Sequence, residues 1–191
     1  MEILGKKILI KRKYVILTFI LFVIIGSDQL TKDIIVQKFR LGQSLVVISN
    51  FFNITYVQNK GAAFGFLSQA DPAFRVPFFV IVPLIALLSI GLVFRKIADY
   101  DLKFSIALSL VIAGAIGNLI DRLRLGYVID FLDFHWRFGY HFPAFNIADS
   151  AICVGVGLIM LDLFTSPATE KKKTASHSDD KGAQINASSA H

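Results

Sequence analysis

Long apolar runs constrain this chain more than anything else in it. A helix needs about 20 mostly apolar residues, at about 1.5 Å rise each, to cross the hydrocarbon of a bilayer. Val76 to Phe94 is such a run and carries no charge. Phe104 to Ile120 is a second, with Ser105, Ser109 and Asn118 as its polar residues. Phe142 to Leu161 is a third and holds one acid, Asp149. A shorter run, Tyr14 to Gly26, precedes them. Of 191 residues, 54% are hydrophobic and 18% charged, and a soluble globule of that size has too much surface to hide so much apolar area. Lipid is therefore the solvent for much of the chain. That excludes a soluble enzyme, a disordered regulator and a disulfide-rich secreted module.

Tyr14 to Gly26 follows Lys11-Arg12-Lys13, as the core of a cleavable signal peptide would. A cut after Gly26 would place Ile24 at −3, where a small residue belongs, so a retained span lengthened by snorkelling basic residues is the better reading. The basic residues Lys6, Lys7, Lys11, Arg12 and Lys13, then Arg95 and Lys96, then Lys171 to Lys173, share one side if there are four spans. The positive-inside rule makes that side cytoplasmic, with both termini there. The formal charge of +6 then marks topology, and no nucleic-acid partner is expected. One domain is expected over residues 1–164, with a disordered cytoplasmic tail over 165–191 that is rich in Ser, Ala and Lys.

The outer connections, about 28–75 and 121–141, are not featureless. Ser44 to Gln58 is rich in β-branched and aromatic residues, with a turn at Ser49-Asn50. It predicts two short strands and then a turn at Asn59-Lys60-Gly61, giving a β-rich segment over about 42–66. Asn53-Ile54-Thr55 fits a glycosylation triplet, a pattern too common by chance to weigh.

Polar residues inside apolar spans need a reason, because a charge near the membrane centre costs at least ~2.5–3.5 kcal/mol. Asp149 is expected about seven residues into the fourth span, with Asn146 on the same helical face. Gly114, Asn118 and Arg122 repeat at intervals of four and stack along one side of the third span, flanked by Asp121. Gly114 admits a close neighbour. Asp121-Arg122, and Asp28 with Lys32, also fit plain ion pairs at helix ends. Tyr127 to Trp136 interleaves Asp130 and Asp133 with aromatics, and Phe131, Phe134 and Trp136 suit a lid. Pro143 breaks any continuous helix between Asp130 and Asp149, so the chain can fold back and bring the two acids together. Two close carboxylates in a poorly solvated site share one proton, the apparatus of aspartic proteolysis. His135 and His141 lack a metal-binding spacing, and no metal or cofactor is expected. Cys153, the single cysteine, reads as packed core and excludes an internal disulfide framework. A transporter or a lipid-binding protein with acids near the outer leaflet stays open on these residues alone.

Five motifs in order resemble the lipoprotein signal peptidase, or signal peptidase II, family. They are Asp28-Gln29-Leu30-Thr31-Lys32; Asn59-Lys60-Gly61-Ala62-Ala63-Phe64-Gly65; Gly117-Asn118-Leu119-Ile120-Asp121-Arg122; Val128-Ile129-Asp130-Phe131; and Phe142-Pro143-Ala144-Phe145-Asn146-Ile147-Ala148-Asp149-Ser150. The resemblance covers roughly residues 14–164. It implies an all-α integral membrane protein of four transmembrane helices with a small extracytoplasmic β-rich platform. It also implies a monomeric enzyme of the bacterial cytoplasmic membrane that cuts diacylglyceryl-modified prolipoproteins before the lipidated cysteine. Membrane lipid and globomycin-type inhibitors are its other implied partners. The residues matching the family's catalytic dyad are Asp130 and Asp149. Asp28, Lys32, Asn59, Gly61, Gly114, Asn118, Asp121, Arg122, Asn146 and Ala148 match positions that support or line its site.

Overall fold

The computed structural model describes residues 2–3, 6–7, 11–61, 67, 69–136 and 140–165. The expectations for Ala62 to Gly65, Arg137 and residues 166–191 lie outside the described residues, as does the side chain of Trp136. The chain divides into two units, residues 1–159 and 160–191. Within the second, the described part is the end of the last helix.

A two-residue antiparallel pair, β1 (Glu2–Ile3) and β2 (Lys6–Lys7), precedes α1 (Arg12–Lys38). Then follow β3 (Ser44–Ile48), β4 (Phe52–Asn59), α2 (Pro72–Lys96), α3 (Leu102–Leu125), β5 (Val128–Trp136), β6 (Tyr140–His141) and α4 (Ile147–Thr165). All four helices are long and apolar enough to span a membrane.

Two helix limits differ from the apolar runs. The first helix continues twelve residues past Gly26 to Lys38, because the polar stretch Ser27 to Lys32 finds buried partners on α3 instead of ending at the headgroups. The fourth helix begins at Ile147 rather than Phe142. Phe142 to Ala144 form no regular element, Phe145 bridges to Leu132, and Asn146 caps the helix, so Asp149 lies in its first turn and not seven residues deep.

The bundle is organised around α3. More than half of its most apolar window is buried (56%), against 6%, 0% and 17% for α1, α2 and α4. The serines of α3 cost little there, since each hydroxyl returns to a carbonyl one turn back, Ser105 to Asp101 and Ser109 to Ser105. Two glycine contacts seat α3 and α4 side by side. A Cβ on Gly114 would run into the Ala148 carbonyl, and one on Gly155 would come 2.6 Å from the Ala107 carbonyl. The expected close approach at Gly114 is thus between two backbones. Cys153, expected in the core, is exposed on the face of α4 that the protein leaves uncovered, suited to lipid.

The α1–α2 and α3–α4 connections both contribute to one sheet, ordered β3-β4-β5 and extended by β6. The turn expected at Ser49-Asn50 forms, with Asn50 in the left-handed region at φ 60. Gly126, at φ 78, ends α3 and lets the chain turn into β5 two residues later. The third strand was not expected: Val128 to Phe134 pairs with β4, and His135 and Trp136 with β6. Phe131 is buried with Ile35, Tyr56 and Ile129, and Phe134 stacks on Phe52 and Phe145. A bulge shifts the β4–β5 register between the pairs Ile54↔Leu132 and Val57↔Asp130.

At the other end of the bundle, Lys13 does more than mark topology. Its ammonium is buried and donates to the carbonyls of Phe94, Arg95 and Ile97 at 3.0, 2.9 and 2.6 Å. These carbonyls lie at the α2 C-terminus, where acceptors go unmet within the helix and positive charge is favoured. Lys13→Met should lower the unfolding free energy in detergent by about 1–3 kcal/mol, the cost of leaving buried acceptors unmet. Thermal or denaturant unfolding of the two proteins side by side measures it.

Candidate active site

The site forms where α1, α3, the start of α4 and the β4–β5 pair meet. Asp130 comes from β5 and Asn59 from the end of β4. Asn59 pairs with Val128, so Asp130 is its diagonal neighbour, and Asn59 Nδ2 reaches Asp130 Oδ2 at 3.0 Å. The backbone N–H of Gly61 donates to Asn59 Oδ1 at 3.0 Å, which turns the amide so that its NH₂ faces the acid.

Asp149 is set by a helix cap. Asn146 Oδ1 accepts the Asp149 N–H at 2.9 Å, and Asp149 Oδ2 accepts the Asn146 N–H at 3.2 Å. This reciprocal pair is a capping box made with Asn and Asp. Asn146 is therefore a cap and not a helical neighbour of Asp149. Its Nδ2 points the other way, to Asp130 Oδ1 at 2.8 Å, to Asn118 Oδ1 at 3.1 Å and to the Ile129 carbonyl at 3.3 Å. One side chain thus holds the two acids in a common frame.

Beneath them is a buried charge cluster. Lys32 Nζ lies 2.8 Å from Asp28 Oδ2, 2.8 Å from Asp121 Oδ2 and 3.2 Å from Asn118 Oδ1, which uses all three of its donors. Asn118 Nδ2 then donates to Asp149 Oδ1 at 2.8 Å. Asp28 Oδ1 accepts the Ala148 N–H at 3.0 Å, an otherwise orphaned donor at the start of α4. Asp121 Oδ2 accepts the Ile129 N–H at 3.2 Å, fixing the strand beside Asp130. Asp28 and Asp121 do not form the headgroup ion pairs their positions also fitted, for both are buried. Arg122 is not paired with Asp121. Its guanidinium lies over the Phe79 ring at 5.3 Å and reaches toward the Gly61 carbonyl at 3.4 Å.

All twelve residues singled out in the sequence meet at this end of the fold. Three contributors were missed. Gln29 Nε2 joins Asp121 at 2.9 Å and Asp28 at 3.2 Å. It sits inside the first motif and would have been found had α1 been extended through it. Phe79 looked like any aromatic in an apolar span. Ile129 acts through its backbone, which leaves no trace in side-chain chemistry.

Asp130 is 2% exposed, and its carboxyl is pushed up to about 7. Burial is the main cause and the negative charge of Asp149 adds to it, against the amides of Asn59 and Asn146 and the charge of Lys32. Four acids here (Asp28, Asp121, Asp130, Asp149) face two cations (Lys32, Arg122), so a proton on the Asp130/Asp149 pair relieves an excess of negative charge. Among the described residues, no three His, Cys, Asp or Glu are grouped to hold a metal ion. Asp133 accepts hydrogen bonds from Thr55 and Asn53.

The sequence pattern of signal peptidase (SPase) II matches residues 20–165, most of the chain. The chain belongs to the signal peptidase II family. It is 48% identical over 162 residues to the lipoprotein signal peptidase of Geobacter metallireducens, covering 85% of this chain and 98% of that one. It is 53% identical over 144 residues to that of Geobacter sulfurreducens, covering 74% and 88%. Among solved structures, a bacterial membrane enzyme determined by the in meso method at 2.3 Å matches with a TM-score of 0.72 and 42% identity, over 80% of this chain and 90% of that chain. The fold of this signal peptidase II family member is thus that of a membrane enzyme: four apolar helices and a small antiparallel sheet.

Because Lys32 neutralises two buried acids, Lys32→Met should destabilise the protein by about 3–5 kcal/mol, the penalty of leaving a buried charge without its partner. Denaturant unfolding in detergent measures the loss. Adding Asp121→Asn should recover part of it.

Proposed function

We propose that this protease removes the signal peptide of diacylglyceryl-modified prolipoproteins by aspartic catalysis, with Asp130 and Asp149 as its acid–base pair. The observation that carries the reading is the sharing of Asn146 by the two acids, within a site otherwise built from amides and buried charges. The pair works with one proton between its members. The ionised acid takes a proton from a water molecule, whose oxygen attacks the scissile carbonyl while the protonated partner hydrogen-bonds the carbonyl oxygen. Collapse of the tetrahedral adduct breaks the C–N bond, and a proton passes to the leaving amine. The products are the signal peptide carboxylate and a new amino terminus on the lipidated cysteine. Asn59, Asn118 and Asn146 orient the acids, while Asp28, Lys32, Asp121 and the Ala148 N–H fix the elements that carry them. Gly61 and Arg122 line the side nearest the β4 end, and Gly114 admits the start of α4.

A lipid-anchored precursor stays in the bilayer, so its protease must meet it at the membrane edge. Asp149 in the first turn of a spanning helix and Asp130 on the adjoining strand suit that position. The basic residues Lys11, Arg12, Arg95 and Lys96 gather at the opposite end, which supports cytoplasmic termini and a site on the outer face of the bacterial cytoplasmic membrane. Inhibition by globomycin-type cyclic peptides and action as a monomer belong to the same reading.

Asp130→Asn and Asp149→Asn should each lower cleavage of a lipidated precursor peptide by roughly 10²–10⁴-fold, while the protein keeps its elution and unfolding profile. Cleavage of the unlipidated precursor should stay near background even with the unaltered enzyme. Near-normal turnover by either variant would remove the dyad assignment.

The protonation of Asp130 sets the pH dependence. Its carboxyl is raised to about 7, so the singly protonated pair persists through mildly acidic pH and is lost as pH climbs past that value. kcat/KM should therefore fall on the alkaline side by about tenfold per pH unit, a limb that a pH series on the lipidated peptide will record. A profile flat to about pH 9 would contradict it.

A further inference from the structure

The membrane face of the bundle carries a concavity far along the helices from the acids. A cavity of about 350 Å³ opens between α1, α2 and α3, and its lining includes Tyr14, Leu84, Leu88, Gly91, Ile112 and Arg95. That volume falls in the range of small-ligand sites. Its α2 wall runs from Leu84 to Arg95, about 16 Å at helical rise, or roughly the depth of one leaflet. The lining is aliphatic and aromatic throughout except for Arg95 at one end.

Gly91 keeps the crevice open. A Cβ built there meets nothing within 4 Å, so the space beside it is unfilled by protein. Glycine within a helix gives up about 1 kcal/mol relative to alanine, and at this site no close contact requires it. Arg95 differs from the other basic residues near it. Lys13 is spent on the α2 carbonyls, whereas the Arg95 guanidinium pairs with no carboxylate among the described residues. The nearby acids have other work: Asp99 accepts the Lys13 N–H, and Asp101 caps α3 through the Phe104 N–H. The exposed Lys11, Arg12 and Lys96 add positive charge at the same end.

We infer that this crevice is a binding site for an anionic phospholipid of the leaflet opposite the acid pair, with an acyl chain along Leu84, Leu88 and Gly91 and its phosphate on Arg95. A guanidinium matches a phosphate bidentately, and an apolar slot one leaflet deep matches an acyl chain. The charge also decides against the signal helix of a precursor as occupant. Signal peptides begin with a positive segment, which would be brought against Arg95, Arg12 and Lys11.

Native mass spectrometry of the detergent-purified full chain, titrated with dioleoyl phosphatidylglycerol or dioleoyl phosphatidylcholine, tests the site. The unaltered protein should retain one phosphatidylglycerol about fivefold better than phosphatidylcholine, because both carry the phosphate but in phosphatidylcholine the choline cation cancels its charge and repels Arg95. Arg95→Gln should abolish that preference, and Gly91→Leu should abolish retention of both lipids by filling the slot. A photoreactive residue in place of Leu88, 70% exposed, should cross-link phosphatidylglycerol in membranes, which keeps the test independent of how either variant folds. Equal retention of the two lipids by the unaltered protein would overturn the inference. So would an anionic preference that survives both substitutions, or a Leu88 cross-link to the signal helix of a precursor.

Discussion

A single buried ammonium organises this protein. Lys32 has three hydrogens to give, and it gives them to a residue on its own helix, Asp28, and to two on α3, Asp121 and Asn118. The third is the decisive one. By occupying the Asn118 carbonyl oxygen, it leaves the Asn118 amide facing Asp149. The two acids of the cluster pass the order onward through their second oxygens or second lone pairs, Asp28 to the Ala148 N–H and Asp121 to the Ile129 N–H. The start of α4 and the strand holding Asp130 are thus both referred to one charge. An ion cluster this dry contributes little to stability compared with an apolar replacement, so its value lies in orientation.

The two acids of the candidate site are delivered by elements that fold under different rules. Asp149 sits on a helix whose backbone is satisfied internally, as lipid demands. Asp130 sits on a strand whose partners come from another part of the chain, β4. Asn146 belongs to neither element and is bonded to both. Its amide cannot be reversed without losing the cap, because its oxygen is committed to the Asp149 N–H.

Much of this was legible in the sequence, and the failures have identifiable causes. Apolar runs revealed four helices because lipid imposes a length and a polarity on any span. They misjudged the limits wherever polarity was settled by a partner on another helix. Ser27 to Lys32 looked like an exit from the membrane since Asp121 and Asn118 are some ninety residues away. Phe142 to Phe145 looked like an entry since apolarity says nothing about caps, and Asn146 decides where α4 begins. Asn118, Asn146 and Asp149 were legible because polar groups in apolar runs are costly and conspicuous, whereas Asn59, Gly61 and Ala148 stood out only by the resemblance to the family. The third strand was not legible, for β5 depends on pairing with Phe52 to Asn59. Lys13 counted as a topology marker because nothing local shows that the α2 C-terminus comes to meet it.

The bridge between Leu132 and Phe145 bears on how the acids are spaced. Leu132 and Phe145 exchange both backbone hydrogen bonds, at 2.8 and 3.1 Å. They close residues 132–145 into a ring, so the path joining the acids is not the nineteen positions that separate them in sequence. It is two residues on one side of the bridge and four on the other. The loop-closure entropy of joining the two acids is settled at the bridge. The spacing of the acids is thereby set by those six residues and the two hydrogen bonds of the bridge, not by the length of chain between Leu132 and Phe145.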